Sequence, residues 1–490
     1  MVFTSTFFLF YFLPFVWIAY FSGYMLERLV KSNWIYKLRI KDVILFLLSL
    51  GFYMWAGVDD GFRLIVYIFV IWLLARSIQE YRKKSMSEEG NSLLQTIKMH
   101  RILFLSVSFA LFCLIRFKYL ERLSGLWNFF FRGNMTVNSV MAPLGISFLT
   151  FSAISYLVDV KRGEDAGTFL DAALYLTFFP KVISGPIILW KDFRDIHRNS
   201  ILSVPLFVSG LNRIMIGFIK KLIFADVFGA VIYTDPSIAD PIYAWAVVIL
   251  YMLQIYFDFS AYSDIAIGIS RTLGFSFQEN FHFPYQSTSI SEFWRRWHIS
   301  LGSWFQQYIY FPLGGSRGEK RKTIRNIAIV FLLTGIWHGA GGNYLLWGGI
   351  NGFFVILERL LSKNTVYQRV PRVIKWLLTM NIVMFSWMFF CFPNLEAIQN
   401  WIQIMFGLVK NEDLYYTWQY YLDNQVLILA GIAMVLPLVI NASSVQRLKS
   451  RIQQNTVSYL IQEGVLLLLF VVAILFMVNA TYHPFIYFQY

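Results

Sequence analysis

The chain is 490 residues long, 57% hydrophobic and 19% aromatic, with 14% charged residues and a formal charge of +14. Ordinary soluble proteins carry about 25% charged residues, so this composition excludes a soluble domain and specifies a polytopic membrane protein. The basic excess reads as membrane topology or, for some residues, as a hold on an anionic substrate, and it does not point to nucleic acid.

In chain order, long apolar runs cover 3–22, 43–57, 102–115, 242–257, 373–392 and 457–480. A bilayer core ~30 Å thick needs about 20 helical residues. Counting shorter runs completed by Tyr, Trp or a single charge, the pattern predicts an all-α bundle of roughly 11–13 spanning or re-entrant helices. The opening MVFTSTFFLFYFLPFVWIAY has no basic n-region and no small-x-small cleavage site, so it reads as a retained first span. Arg28, Lys31, Lys37, Arg39 and Lys41 follow it; Arg76, Arg82, Lys83, Lys84, Lys98 and Arg101 form a second cluster, with Asp59 and Asp60 in the loop between. By the positive-inside rule both clusters are cytoplasmic and the N-terminus lies outside. The segment 81–98 is the clearest predicted soluble loop, 314–325 is Gly-rich and basic, and 441–456 is amphipathic. Cys113 and Cys391 each sit in an apolar run and read as core residues.

No fixed-period repeat or separate soluble domain is visible, so 1–490 is read as one membrane domain. Residues 1–135 and 361–490 are plain spans, and 136–360 is dense in polar residues and glycine. In that middle part APLGISF, FFPKVISGP, IGFIKKLIFADVFG, QIYFDFSAYSDIAIG and FHFPYQS interrupt the apolar pattern. Broken helices at membrane depth are tolerated where they line a cavity or pack inside protein, which makes this part the predicted wall of a polar cavity or tunnel.

Lys220 and Lys221 either snorkel to the interface or bind an acidic group. Within QIYFDFSAYSD, Gln254, Asp258 and Tyr262 share one helical face; they either glue helices together or line the cavity. In EFWRRWHISLGSW, helical spacing stacks Trp294 on His298 and puts Trp297, Leu301 and Trp304 on a second stripe. Arg295 and Arg296 precede His298 by less than a turn and offer planar donor forks to a phosphate or carboxylate; the alternative is an interfacial aromatic and arginine belt. In TGIWHGAGGNYLLWGG, His338 is followed by small residues that leave room for a neighbouring helix or a substrate chain; Asn343 after them joins Trp294, Trp297, Arg295, Arg296, Asp258 and Tyr262 as a candidate donor- or substrate-binding residue.

An ionisable group at membrane depth is costly and therefore usually functional. They stand 40 positions apart, so two segments can present both histidines to one cavity. A neutral imidazole can take a proton from a hydroxyl that attacks a carbonyl. Neither histidine has metal-ligand spacing, and no metal is predicted. The chemistry reaches acyl transfer from a thioester and stops short of choosing the acceptor.

FWRRWHISLGSWFQQYIYFPLGGSR, followed by GIWHGAGGNYLLWGGING, resembles the signature of the membrane-bound O-acyltransferases (MBOAT), most nearly their bacterial AlgI branch and more distantly the DltB branch. APLGISFLTFSAISYLVDVKRG, YLTFFPKVISGPI, FSFQENFHFPYQSTSISEFW and the ending HPFIYFQY extend the likeness over most of the chain. The resemblance implies a helical bundle around a central tunnel in the bacterial cytoplasmic membrane. His338 is implied as the catalytic histidine and His298 as the second. Acetyl-CoA is implied as acyl donor, without a permanently bound cofactor. An extracytoplasmic partner of SGNH-hydrolase type is implied to place acetyl on a polysaccharide. Where relatives often carry an Arg/Lys-Asp pair after the WHISL segment, Gln306 and Gln307 stand here. D-alanyl transfer to teichoic acid and a proton-coupled transporter are the alternatives; the transporter lacks the expected internal repeat.

Overall fold

A computed structural model describes residues 3–29, 38–87, 92–131, 133, 142–235, 238, 240–339, 341–409, 417–440, 443–479 and 485. Lys31 and Lys37 of the first basic cluster, Ala340 beside His338 and most of the closing HPFIYFQY lie outside them. The described residues are helical with no strand, as an all-α membrane protein requires. Seven helices among them are long and apolar enough to cross a bilayer, and one shorter apolar helix, Asn424–Ile440, accompanies these.

The chain divides into two compact units: residues 1–211 with 266–278, and residues 212–265 with 279–490. In the first, α1 (Leu13–Leu29), α2 (Ile40–Met54), α3 (Val58–Met86), α4 (Ser92–Lys118) and α5 (Ile146–Arg162) pack as neighbours. α2 has 15 residues, fewer than a perpendicular span needs. α6 (Trp190–Arg198) seats Trp190 on α5, where the Ser155 hydroxyl accepts from its backbone N–H. The predicted soluble loop 81–98 is a correction: α3 runs on to Met86 and α4 begins at Ser92. Its described Lys, Arg, Gln and Met residues are good helix formers, residues 88–91 lie outside the described residues, and Glu80 just before the segment pairs with Lys84 across one turn at 2.7 Å.

α7 (Val204–Ile219) runs into a wide π-type turn at Lys220–Ala225. α8 (Pro241–Thr272) follows, the most deeply buried of the seven candidate spans. The second unit continues with α9 (Ile290–Arg296), α10 (Ile299–Phe305), α11 (Lys320–His338), α12 (Gly342–Leu361), α13 (Arg372–Cys391), α14 (Asn424–Ile440) and α15 (Thr456–Asn479).

Within this unit α8 carries carboxylates that meet the cations of the π-type turn. Lys221 Nζ lies 2.6 Å from Asp258 Oδ1 and 2.7 Å from Asp226 Oδ1. Lys220 Nζ lies 2.7 Å from Asp264 Oδ2, and Arg213 bridges Asp264 and Glu279. The lysines therefore neither snorkel nor wait for an acidic ligand; they neutralise buried carboxylates. Removing one partner of a buried pair leaves an uncompensated charge and costs about 3–5 kcal/mol. Lys221→Met is expected to lower the unfolding temperature of the detergent-solubilised protein by several degrees, with partial recovery in Lys221→Met/Asp258→Asn; differential scanning fluorimetry checks both.

Candidate active site

His338 is the last residue of α11 and is buried, 6% exposed. The link to α12 is only three residues long, so the two helices form a tight antiparallel pair. Glycine makes the approach possible: a Cβ on Gly335 would meet the Tyr344 carbonyl oxygen at 2.5 Å, and one on Gly348 the Phe331 carbonyl oxygen at 2.4 Å. The small residues around His338 thus admit a helix, and Tyr344 fills the space beside Gly339. This packing sets Trp347 edge-on to the His338 ring at 5.0 Å between centroids, with Phe390 at 5.0 Å and Trp337 at 4.6 Å.

His298 stands between α9 and α10, not inside one helix. The predicted continuous helix over 292–304 breaks at Trp297–His298, and His298 takes a left-handed conformation with φ 44°. That conformation costs a non-glycine residue about 1–3 kcal/mol and persists only where surrounding contacts fix it. The contacts come from residues 280–282: the Ile299 N–H donates to the Asn280 carbonyl at 3.0 Å and the His282 N–H to the Arg296 carbonyl at 2.9 Å. The break also undoes the predicted Trp294–His298 stack. Trp294 packs instead on Trp347 and donates its indole N–H to Asn351.

Asn280 fixes the state of the His298 ring. Its Oδ1 accepts from the Ser300 backbone N–H at 3.2 Å and from the Ser300 hydroxyl at 2.9 Å. Because a backbone N–H can only donate, the atom it meets is the amide oxygen. The same oxygen lies 3.2 Å from His298 Nδ1, and the Ser300 hydroxyl 3.4 Å from it; with the Ser300 hydrogen directed to the Asn280 oxygen at 2.9 Å, the shorter contact assigns the ring hydrogen to Nδ1. Nε2 is then the lone-pair nitrogen, buried and without a hydrogen-bond partner among the described residues. His298 lies outside the seven candidate spans, and burial pushes its imidazole from 6.5 down to about 3, so it is neutral at physiological pH. Asn280 is itself anchored by donating from Nδ2 to the Ser263 hydroxyl of α8 at 3.0 Å.

His298 lines a cavity of about 440 Å³ together with Arg295, Trp294, Trp297, Tyr310 and, on α11, Thr334. His338 lies one turn beyond Thr334 and off the cavity wall, enclosed by Trp337, Trp347 and Phe390. Of the two rings expected to share a cavity, His298 lines this one and His338 is not among its lining residues; contacts through Trp347, Trp387 and Trp297 join the surroundings of the two rings.

The remaining expected residues separate in role. Arg295 is exposed on the cavity wall and forms no ion pair among the described residues, whereas Arg296 pairs with Glu292 at 2.7 Å. The arginines are thus not a joint fork. Trp297 is buried in the aromatic core. Asp258 is held by Lys221, Tyr262 packs edge-on against Phe485, and Asn343 donates to the Phe389 carbonyl at 2.9 Å. These three hold structure and are not brought to the cavity. Sequence reasoning missed Asn280 and Trp347; the pairing of Asn280 with His298 spans a loop whose backbone reversal at Phe283, φ 47°, has no glycine to announce it.

The site thus holds a buried neutral imidazole beside a cavity and a second buried histidine at the end of α11. A family model for MBOAT, the membrane-bound O-acyltransferase family, matches residues 62–399, and the chain belongs to that family. It is a multi-pass membrane O-acyltransferase. It is similar to the probable alginate O-acetylase AlgI of Pseudomonas aeruginosa, 36% identical over 434 residues, 86% of this chain and 76% of that protein. It is also similar to a peptidoglycan O-acetyltransferase of Helicobacter pylori, 33% identical over 60% of this chain and 62% of that protein. The teichoic acid D-alanyltransferase of Bacillus subtilis is 27% identical over 52% of this chain and 68% of its own.

Linkage gives the sign of a pH effect. Below 6.5 the unfolded chain protonates residue 298 while the folded chain does not until about 3, so the stability that this site confers is complete above pH 6.5 and is lost as pH falls toward 3. The unfolding temperature of the native protein is expected to fall between pH 6.5 and 4 more steeply than that of His298→Gln, as read by scanning fluorimetry. Equal slopes contradict the buried neutral ring. Asn280→Leu, which removes the acceptor of the Nδ1 hydrogen, is expected to destabilise by about 1–3 kcal/mol, measured by the same method.

Proposed function

We propose that this O-acyltransferase moves an acetyl group from acetyl-CoA on the cytoplasmic side toward an extracytoplasmic polysaccharide, with the N-terminus outside. The observation that carries the reading is the lone-pair Nε2 of His298, without a hydrogen-bond partner among the described residues, at a cavity whose wall also holds Arg295, which forms no ion pair among them. Similarity to an alginate O-acetylase and a peptidoglycan O-acetyltransferase supports acetyl as the group moved and a cell-envelope polymer as its destination.

In the proposed reaction an acceptor hydroxyl attacks the thioester carbonyl. The new O–C bond forms as the C–S bond breaks, and the thiol leaves with a proton. His338 is assigned as general base for the hydroxyl proton on the family resemblance, a contribution of roughly 10²–10⁴ in rate, and the acceptor reaches its ring only once the enclosure by Trp337, Trp347 and Phe390 opens. Neutral His298 accepts a hydrogen bond at Nε2 and orients the incoming group, because a charged imidazolium could not accept. Arg295 faces an anionic part of the donor or acceptor; its planar guanidinium suits phosphate or carboxylate. A separate extracytoplasmic protein of SGNH-hydrolase type takes the acetyl group onward to the sugar. No carboxylate or cysteine cluster is asked to hold a metal. D-alanyl transfer is the second reading, and the lower identity and shorter coverage of the teichoic acid relative rank it behind acetyl transfer.

In cells with matched protein levels, His338→Ala is expected to abolish polymer-bound acetate and His298→Gln to lower it by about 100-fold or more, measured as acetate released by mild alkali. Unchanged acetate in His338→Ala removes that residue from the mechanism. With purified protein in vesicles, acetyl-CoA is expected to acylate the acceptor system and an aminoacyl carrier protein is not; the reverse result supports D-alanyl transfer. Arg295→Gln is expected to raise KM for the donor while leaving kcat within about twofold, as loss of uniform binding does.

A further inference from the structure

The first compact unit contains a second, larger cavity of about 1010 Å³, formed between the end of α1, the start of α2, the later part of α3, the 165–171 segment and α6. Its wall carries four carboxylates and six basic side chains, and the carboxylates are already engaged. Asp42 accepts from Arg39 at 2.7 Å and contacts His197 at 3.0 Å. Asp171 pairs with Arg39 at 2.7 Å and accepts from the Thr168 backbone N–H and hydroxyl. Asp165 accepts from the Gly167 N–H, and Glu27 from the Lys41 backbone N–H. Arg194 is paired with Glu164 at 2.9 Å. Lys41, Arg76 and Arg198 remain, and among the described residues they form no ion pair.

The rest of the wall is aromatic. Trp72 and Phe169 stand edge-to-face at 5.8 Å, and Trp72 is fixed by donating its indole N–H to the Gly167 carbonyl. On the other side His197 lies parallel to Phe193, at 10° and 6.0 Å between centroids. Two free guanidinium groups and an ammonium beside rigid aromatic walls match a phosphate attached to a larger body: guanidinium offers paired donors to phosphate oxygens, and the rings face what the phosphate is attached to. The volume is at the upper end of ordinary small-molecule sites, roughly 300–1,000 Å³, and far exceeds what a bare phosphate fills.

We propose that this cavity binds a phosphate-bearing ligand through Lys41, Arg76 and Arg198, with Trp72 against the body of the ligand. The phosphate belongs either to a nucleotide or to an anionic lipid headgroup. The proposal stands on this cavity alone and does not depend on the acyl-transfer reading.

The test uses full-length protein in nanodiscs of zwitterionic phosphatidylcholine, titrated in parallel with ADP and with short-chain phosphatidic acid and read by calorimetry. Saturable binding of at least one probe is expected, weakening as salt is raised. In Arg76→Gln/Arg198→Gln the affinity is expected to fall by roughly tenfold or more, the loss of charge-assisted hydrogen bonds. The unfolding temperature without ligand is expected to stay unchanged, since both side chains are exposed and unpaired. Binding of ADP alone assigns the nucleotide source, and binding of phosphatidic acid alone the lipid source. If the double variant fails to fold, Lys41→Gln is measured instead and is expected to weaken the same probe by about threefold. Binding of neither probe, or equal binding by native and substituted protein, overturns the proposal.

Discussion

A buried imidazole has two nitrogens and, when neutral, one hydrogen; the protein must decide where that hydrogen goes. Here the Asn280 amide oxygen decides it. Three donors converge on that oxygen, two from Ser300 and one from His298 Nδ1, and the consequence is a lone pair at Nε2 facing away from them. The left-handed backbone at residue 298, the helix break before it and the short loop pairing with residues 280–282 all serve this arrangement.

The loop carrying Asn280 is in turn clamped to α8 by two consecutive side chains. Glu279 reaches Asp264 through Arg213, and Asn280 takes the neighbouring Ser263. The buried ion pairs of α8 therefore act at a distance from the chemistry. They neutralise carboxylates that hydrocarbon surroundings would otherwise penalise, and they hold the segment that orients His298. The α11–α12 pair plays the matching part for His338: close backbone contact through Gly335 and Gly348 brings Trp347 edge-on to the ring. Both histidines are positioned by close packing of their surroundings.

Much of this was legible in the sequence. Apolar runs of near-span length located the long helices, because hydrocarbon admits no unsatisfied backbone and so forces helix wherever the chain crosses. The two histidines stood out because imidazole is rare in such surroundings. What sequence could not supply were the exceptions to periodicity. A helical wheel through 292–304 stacks Trp294 on His298, yet the chain breaks there, and no proline or glycine marks the point. The role of Asn280 was hidden for the same reason: 18 residues and two non-glycine left-handed turns separate it from its partner. Arg295 and Arg296 look equivalent in sequence and diverge in space only because Glu292, one turn earlier, captures one of them. The charged segment 81–98 misled in the other direction; polarity marked it as solvent-exposed, which does not prevent charged helix formers from extending α3 and α4 into water.

The most direct test of the account is the protonation state of His298 itself. Solid-state NMR of ¹⁵N- and ¹³C-histidine-labelled protein in lipid bilayers, assigned by comparison with His298→Gln, reports which ring nitrogen bears hydrogen. The account predicts a neutral ring with hydrogen on Nδ1 and an unprotonated Nε2 that persists from pH 7.5 down to pH 5. A ring protonated on both nitrogens in that range, or hydrogen on Nε2 with Nδ1 bare, would contradict it.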